Sequence, residues 1–240
     1  MKNIAIYTSI VGKYDKLYEP DEVIDNYDYI CFSNDISSPK NSVWKIRPIP
    51  FDNSDKTRQA RFIKTNPHEV LKDYQYSLWI DGNVVIKDNY VYIRVQELIK
   101  EGVLISIPKH PLRDCAYDEA KIVIKIGKGK KSVIIRQMEK LQKEGFPENF
   151  GLFESNIVFR KHMDKDIIEL DNDWWKEIQN YSRRDQLSLG YVLWKKQITC
   201  VPFFEEGYNV RNHPGFSYPA HKRTIAHKIN KRIRIIGNKF

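Results

Sequence analysis

Leu78-Trp79-Ile80-Asp81-Gly82-Asn83 is an apolar strand that delivers an acid, a glycine and an amide onto a tight turn. Side-chain oxygens at the two ends of such a turn can face one divalent ion. Mg²⁺ and Mn²⁺ accept carboxylate, amide and phosphate oxygens together. The same three residues also make an ordinary β-turn, so their meaning depends on the surrounding chain. Outward from this stretch, β-rich runs fall at 3–10, 27–32, 43–49, 77–80 with 84–86, 103–107, 154–159 and 198–203. Helical patterns fall between them at 54–64, 90–100, 118–143, 165–181 and 184–196, with Gly127 and Gly129 breaking the third in two. This alternation predicts an α/β fold with a mixed, mostly parallel central sheet. Ligands then sit beyond the carboxyl ends of the strands.

The chain has 240 residues, enough for one domain with a sizeable core. Aromatic residues make up 12%, which excludes global disorder. The net charge of +9 is uneven: residues 121–145 carry +6 and residues 211–240 carry +8, so the remainder sums to −5. The expected organisation is one domain over 1–210 and a basic segment over 211–240. Basic clusters suit an anionic surface or polymer, and equally a solvated helix face. Cys31, Cys115 and Cys200 are odd in number and widely spaced, arguing against a disulfide framework or zinc site and for a reducing cytosol. The opening apolar run reads as a first strand and not a signal peptide. No uncharged apolar run approaches the roughly 18 residues of a membrane span.

The helix starting near Ser54 carries Lys56, Arg58, Arg61 and Lys64. The last three recur at three-residue spacing, near one face. A basic helical face beside an acidic turn is the pairing that holds a diphosphate with its metal. The bland alternative is a solvated basic face. A second polar cluster, His110, Arg113, Asp114 and Glu119, follows a buried-type strand. It reads either as part of a site or as a loop ion-pair network. Trp174-Trp175 reads as partly core or as a sugar-stacking surface.

Several ordered motifs carry a family resemblance: Tyr7-Thr8-Ser9-Ile10-Val11-Gly12-Lys13-Tyr14-Asp15, Tyr29-Ile30-Cys31-Phe32-Ser33-Asn34-Asp35, Arg58-Gln59-Ala60-Arg61-Phe62-Ile63-Lys64 with Pro67-His68, Trp79-Ile80-Asp81-Gly82-Asn83, the His110–Ala120 cluster, Trp174-Trp175, and Arg184-Asp185-Gln186-Leu187-Ser188. Together they resemble a glycosyltransferase-like family, first catalogued as a domain of unknown function and distantly similar to GT-A enzymes of the glycogenin and galactinol synthase type. The resemblance spans about residues 4–194.

It implies a GT-A fold, Rossmann-like, that binds a nucleotide-sugar donor and transfers its sugar to a glycan, a lipid-linked acceptor or another hydroxyl, in surface polysaccharide or glycoconjugate synthesis. Thr8 with the loop that follows it, Asp35, Arg58, Arg61 and Lys64 would meet the donor. Asp81, Asn83 and a late histidine would hold Mn²⁺ or Mg²⁺, with His213 ahead of His221 and His227. Asp185, then Glu154, would take the acceptor proton if the reaction inverts; in a retaining enzyme they would orient the sugar and steady its developing positive charge. For Asp185 an acid favoured by the helix dipole is the plain alternative. His110, Arg113, Asp114, Glu119, Gln186 and Trp175 fall on the acceptor or sugar side. The competing class is a non-catalytic binding protein for an anionic polymer or nucleic acid on a degenerate GT-A fold. No nucleic-acid reading motif occurs, so nucleic acid is not an expected partner. Apolar residues at helical spacing over 220–236 predict either peripheral contact with an anionic membrane or docking on the domain. The expected location is cytoplasmic, at the inner face of the membrane if that contact is made.

Overall fold

The computed structural model describes residues 3–12, 15–37 and 40–220. In chain order the elements are β1 (Ile4–Ser9), β2 (Tyr27–Phe32), β3 (Trp44–Arg47), α1 (Lys56–Thr65), α2 (Pro67–Val70), β4 (Tyr76–Ile80), β5 (Val85–Ile86), α3 (Tyr90–Lys100), β6 (Ile105–Ile107), α4 (Ala116–Lys125), α5 (Lys131–Lys143), β7 (Ile157–Arg160), α6 (Lys165–Asn180), α7 (Gln186–Lys196), β8 (Val201–Pro202) and β9 (Phe216–Ser217). The strand and helix alternation expected from the sequence is present, and the break at Gly127 and Gly129 separates α4 from α5. The strand expected over 198–203 shrinks to β8, and the one over 154–159 starts later, as β7. Glu154 and Ser155 thereby leave the sheet and become available to a site.

Seven strands form one sheet in the order β3-β2-β1-β4-β7-β6-β8. β3, β2, β1 and β4 are parallel. β7 runs antiparallel to both β4 and β6, while β8 is parallel to β6. β1 is buried along its whole length, as a strand covered on both faces must be. Its side chains alternate between two apolar clusters. Ala5 and Tyr7 join Trp79 and Val158 on one face, under Phe62, Ile167, Leu170 and Leu189 from α1, α6 and α7. Ile4 and Ile6 join Leu78 and Phe159 on the other, under Val91, Val95 and Leu98 from α3. Each such isoleucine, fully buried, is worth about 1.5–3 kcal/mol.

This order places a crevice. β2 and β3 lie on one side of β1, and β4 lies on the other, so the loops leaving β1 and β4 part company at a topological switch point. Because β7 is antiparallel, its first residues reach the same edge where β4 ends, and Asp81 N–H donates to Asn156 O at 2.8 Å. β6 delivers Lys109 to Arg113 to that edge as well. Residues 211–220, expected to begin a separate basic segment, are built into the domain: β9 pairs with β5, Phe216 is buried, and Asn83 Nδ2 donates to Pro219 O at 2.9 Å. The amphipathic helix expected over 220–236, with His221 and His227, lies outside the described residues from residue 221 onward. Among the described residues no helix is long and apolar enough to cross a membrane.

One buried charge pair ties the layers under the crevice. Arg160, at the end of β7, donates to Asp171 Oδ1 at 2.5 Å, to Tyr7 Oη at 2.6 Å and to Lys64 O at 2.5 Å. Both charged side chains are fully buried. Arg160→Met alone should destabilise by about 3–5 kcal/mol, because it leaves Asp171 buried without its cation. The double variant Arg160→Met/Asp171→Leu should recover most of that loss. Urea unfolding of the three proteins measures both quantities.

Candidate active site

α1 begins because Asp55 caps it: the Asp55 carboxylate accepts the Thr57 N–H at 3.0 Å. Its apolar side faces the sheet through Phe62 and Ile63, and this sets its rotation. Arg61 and Lys64, one turn apart, then point toward the crevice. Arg58 does not. Six residues separate it from Lys64, which at 3.6 residues per turn is about 120° around the helix. Its guanidinium instead caps α6, donating to Ile178 O and Tyr181 O and pairing with Asp55. The expected donor contact at Arg58 is therefore replaced by a structural one.

At the crevice floor, the fully buried Lys64 Nζ donates to Asp185 Oδ2 at 2.8 Å, Ser155 Oγ at 3.0 Å and Asp81 Oδ1 at 3.3 Å. Its three protons thus meet three protein acceptors. Ser155 Oγ donates in turn to Asp185 Oδ2 at 2.8 Å, and Arg61 Nε lies 3.1 Å from the same oxygen. Trp79 Nε1 donates to Asp81 Oδ1 at 2.8 Å, and Trp174 Nε1 donates to Asp185 O at 3.1 Å. Asp185 stands at the start of α7, but its side chain does not cap that helix. Four segments that are distant in sequence meet on two carboxylates.

This arrangement sets the chemistry of Asp185. Burial opposes ionisation of its carboxyl, but the charges of Arg61, Lys64 and Arg184 outweigh burial and hold it far below the usual carboxylate range. Burial pushes the Lys64 ammonium down from its ordinary value, with Asp185 and Asp81 opposing that shift. A carboxylate so held is a fixed anion and a poor proton acceptor, contrary to the expectation of Asp185 as the base. Glu154, the second candidate, is also engaged: both its oxygens accept from Arg211 Nη1, at 2.9 and 2.7 Å.

The cleft above this floor holds about 1060 Å³ and is lined by Ser9, Val11, Gly12, Asp15, Lys56, Arg61, Lys64, Asp81, Gly82, His110, Arg113, Glu119, Glu154, Ser155, Arg183, Arg184, Asp185, Gln186, Arg211 and Tyr218, among others. Arg61 presents its terminal nitrogens with no hydrogen bond among the described residues. Arg113 Nε donates to Glu119 Oε2 at 2.8 Å. His110 Nδ1 accepts the Leu112 and Arg113 backbone N–H groups. Burial lowers the His110 pKa, with Glu154 opposing, so the ring is neutral at pH 7.

Other expected residues sit elsewhere. Thr8 is buried in β1, and Asp35 accepts the Gly12 N–H at 2.6 Å, shaping the loop after β1 without lining the cleft. Asp114 is exposed outside the cleft, on the wall of a second cavity beside it. Trp175 is not on a sugar face: it packs edge-on against Phe51 and Phe62 in the core. Of the expected metal trio only Asp81 lines the cleft. Asn83 is buried, with its amide donated to Pro219 O. His213 packs among Tyr90, Phe204, Tyr208 and Phe216, and its Nδ1 accepts the Gly215 N–H at 3.0 Å. Among the described residues no three His, Cys, Asp or Glu side chains are grouped to hold a metal.

Sequence reasoning gave no role to Ser155, Arg211 and Tyr218, and took in Asp15 only as part of the loop after Thr8. The polar run Glu154-Ser155-Asn156 ahead of an apolar strand was a usable signal. Arg211 and Tyr218 had none, because they reach the cleft only through the long return from β8 to β9, where Arg211 lies 4.8 Å over the Tyr218 ring.

A family model, the TOD1/MUCI70 glycosyltransferase-like domain, matches residues 36–209. The chain belongs to this family. It is 25% identical over 165 residues to the probable hexosyltransferase MUCI70 of Arabidopsis thaliana, a match covering 64% of this chain and 28% of that protein's length. Among solved structures, core-mannan synthase A of Aspergillus fumigatus, in an Mn/GDP form, superposes with a TM-score of 0.51 at 11% identity, covering 99% of this chain and 85% of that one. The fold is that of the GT-A glycosyltransferases.

Asp185→Asn should destabilise the protein by about 3–5 kcal/mol at pH 7, since it leaves Lys64 and Arg61 without their buried anion. The folded pKa of Asp185 lies below its unfolded value, so this contribution is present above the unfolded Asp pKa of about 4 and fades as pH falls below it. Urea unfolding of both proteins from pH 8 to pH 3 should show a constant gap that narrows only at the acid end.

Proposed function

We propose that this domain transfers a hexosyl group from a nucleotide-sugar to a hydroxyl of a glycan acceptor, in the assembly of surface polysaccharide or glycoconjugate. The observation that carries the reading is the Lys64–Asp185–Arg61 cluster on the floor of a cleft at the sheet's switch point, with Asp81 beside it. Family membership and a hexosyltransferase relative support the same reaction class.

The nucleotide lies over the loop after β1, against Ser9, Val11 and Gly12. The diphosphate lies toward Arg61, Lys56 and Arg211. The free fork of Arg61 suits two phosphate oxygens at once, and the other cations offset charge as the nucleoside diphosphate departs. Lys64 acts indirectly: with its protons committed, it fixes Asp185 and Asp81 in place.

The manganese carried by the mannan synthase structure raises the same question here. Asp81 and Asp15 both line the cleft, and a Cβ on Gly82 would stand 3.5 Å from Asp15 Oδ2. Two carboxylates, one on the turn after β4 and one brought against that turn from the loop after β1, fit a Mn²⁺ or Mg²⁺ whose remaining ligands are phosphate oxygens and water; His213 does not fit that set. Such an ion would neutralise charge on the leaving diphosphate.

Asp185, held as an anion at neutral pH by Arg61 and Lys64, steadies positive charge as it develops on the sugar ring. With Asp185 and Glu154 both held by cations, the acceptor hydroxyl proton passes to the departing phosphate oxygen, which is consistent with retention of anomeric configuration.

Purified protein with Mn²⁺ should bind at least one nucleotide-sugar by calorimetry. Arg61→Ala should weaken that affinity by about 10–100-fold, the loss of a charge-assisted bond of about 1.5–3 kcal/mol. Asp81→Ala should abolish the dependence on metal. Proton NMR of the product should show the donor's anomeric configuration kept. No binding of any nucleotide-sugar or nucleoside diphosphate would refute the reading.

A further inference from the structure

Beside the cleft lies a second cavity of about 900 Å³. A short ribbon separates the two, where His110 N–H donates to Leu152 O at 2.7 Å and Glu154 N–H donates to Pro108 O at 2.8 Å. His110 and Arg113 line both spaces and stand at the border between them. The far wall is the end of α7 and the turn after it: Leu193, Trp194, Gln197, Ile198 and Thr199.

The lining mixes aromatic faces with hydrogen-bonding groups. Phe150 is 39% exposed, and Trp194 is partly exposed behind Phe146. Around them stand Gln197, Thr199 and Lys109, and Lys109 makes no ion pair among the described residues. A lipid tail would leave these polar groups without partners, which is costly. A sugar chain presents both an apolar ring face and a rim of hydroxyls. The volume falls in the range of built ligand sites, roughly 300–1,000 Å³.

We propose that this groove is the acceptor subsite and that its occupant is a glycan chain, with Phe150 and Trp194 as stacking faces and the terminal sugar passing His110 and Arg113 into the cleft. The proposal rests on the glycosyltransferase reading and locates its acceptor subsite. The direction is set by adjacency: His110 and Arg113 are lining that the groove shares with the cleft holding Asp185.

The test uses the full chain with maltohexaose, cellohexaose, mannohexaose and hexagalacturonate as probes, measured by saturation-transfer NMR. Nucleoside diphosphate affinity is measured separately by calorimetry. At least one hexasaccharide should bind. Phe150→Ala, which removes an exposed ring, and Thr199→Trp, which fills the groove from an exposed position, should each weaken its binding at least about tenfold, or about 1.4 kcal/mol. Nucleotide affinity should change less than about twofold, which shows that both variants fold. Binding of nucleotide with no hexasaccharide bound overturns the groove proposal and leaves the transferase reading standing. Hexasaccharide binding that neither variant weakens also overturns it, as does capture of dodecyl-phosphate micelles in place of every glycan. Loss of nucleotide binding in the unmodified protein instead strikes the transferase reading.

Discussion

The buried contact between Lys64 and Asp185 is the constraint on which the rest of the site depends. A single buried charge is intolerable, so each requires the other and both require further partners. The partners come from everywhere: Asp81 from the end of β4, Ser155 from the approach to β7, Arg61 from the preceding turn of α1. The end of α1, the start of α7 and the edge of the sheet can therefore meet in only one arrangement. A second buried pair, Arg160 with Asp171, repeats this one layer deeper and grips the backbone carbonyl of Lys64 itself.

This constraint also decides what the site can do. A carboxylate surrounded by two cations and a hydroxyl has little use for a proton. Its value lies in a charge that stays fixed across the working pH range. The cleft consequently separates tasks. Lys64 and Asp185 serve as a rigid pair, while the fork of Arg61 and the side chains of Lys56 and Arg211 face the open space. An antiparallel β7 makes this possible by bringing Ser155 to the edge where β4 delivers Asp81. A parallel strand in that place would start at the opposite edge.

Much of this was legible before the structure. The β4 run into Asp81-Gly82-Asn83 marked the edge where ligands sit, and the basic helix expected over 54–64 was placed to within two residues. Failures have specific causes. Arg58 shares a spacing with Arg61 and Lys64 but drifts around the helix until it faces α6. Trp175 and His213 carry residue types suited to sugar and metal, yet each fits an aromatic pocket that no local pattern announces. The proton affinity of Asp185 depends on residues 121 and 124 positions away in the chain.

The sequence by itself determined the order of strands and helices, the edge of the sheet that carries function, and the kinds of side chain gathered there. These follow from short-range periodicity, capping and turn chemistry, which act within a few residues. Only the tertiary structure decided which cations face the cleft, that Asp185 is a locked anion, and that residues 211–220 fold back to supply Arg211 and Tyr218. Those outcomes depend on helix rotation against the sheet and on charges brought together through space, and neither quantity is encoded at any single stretch of the chain.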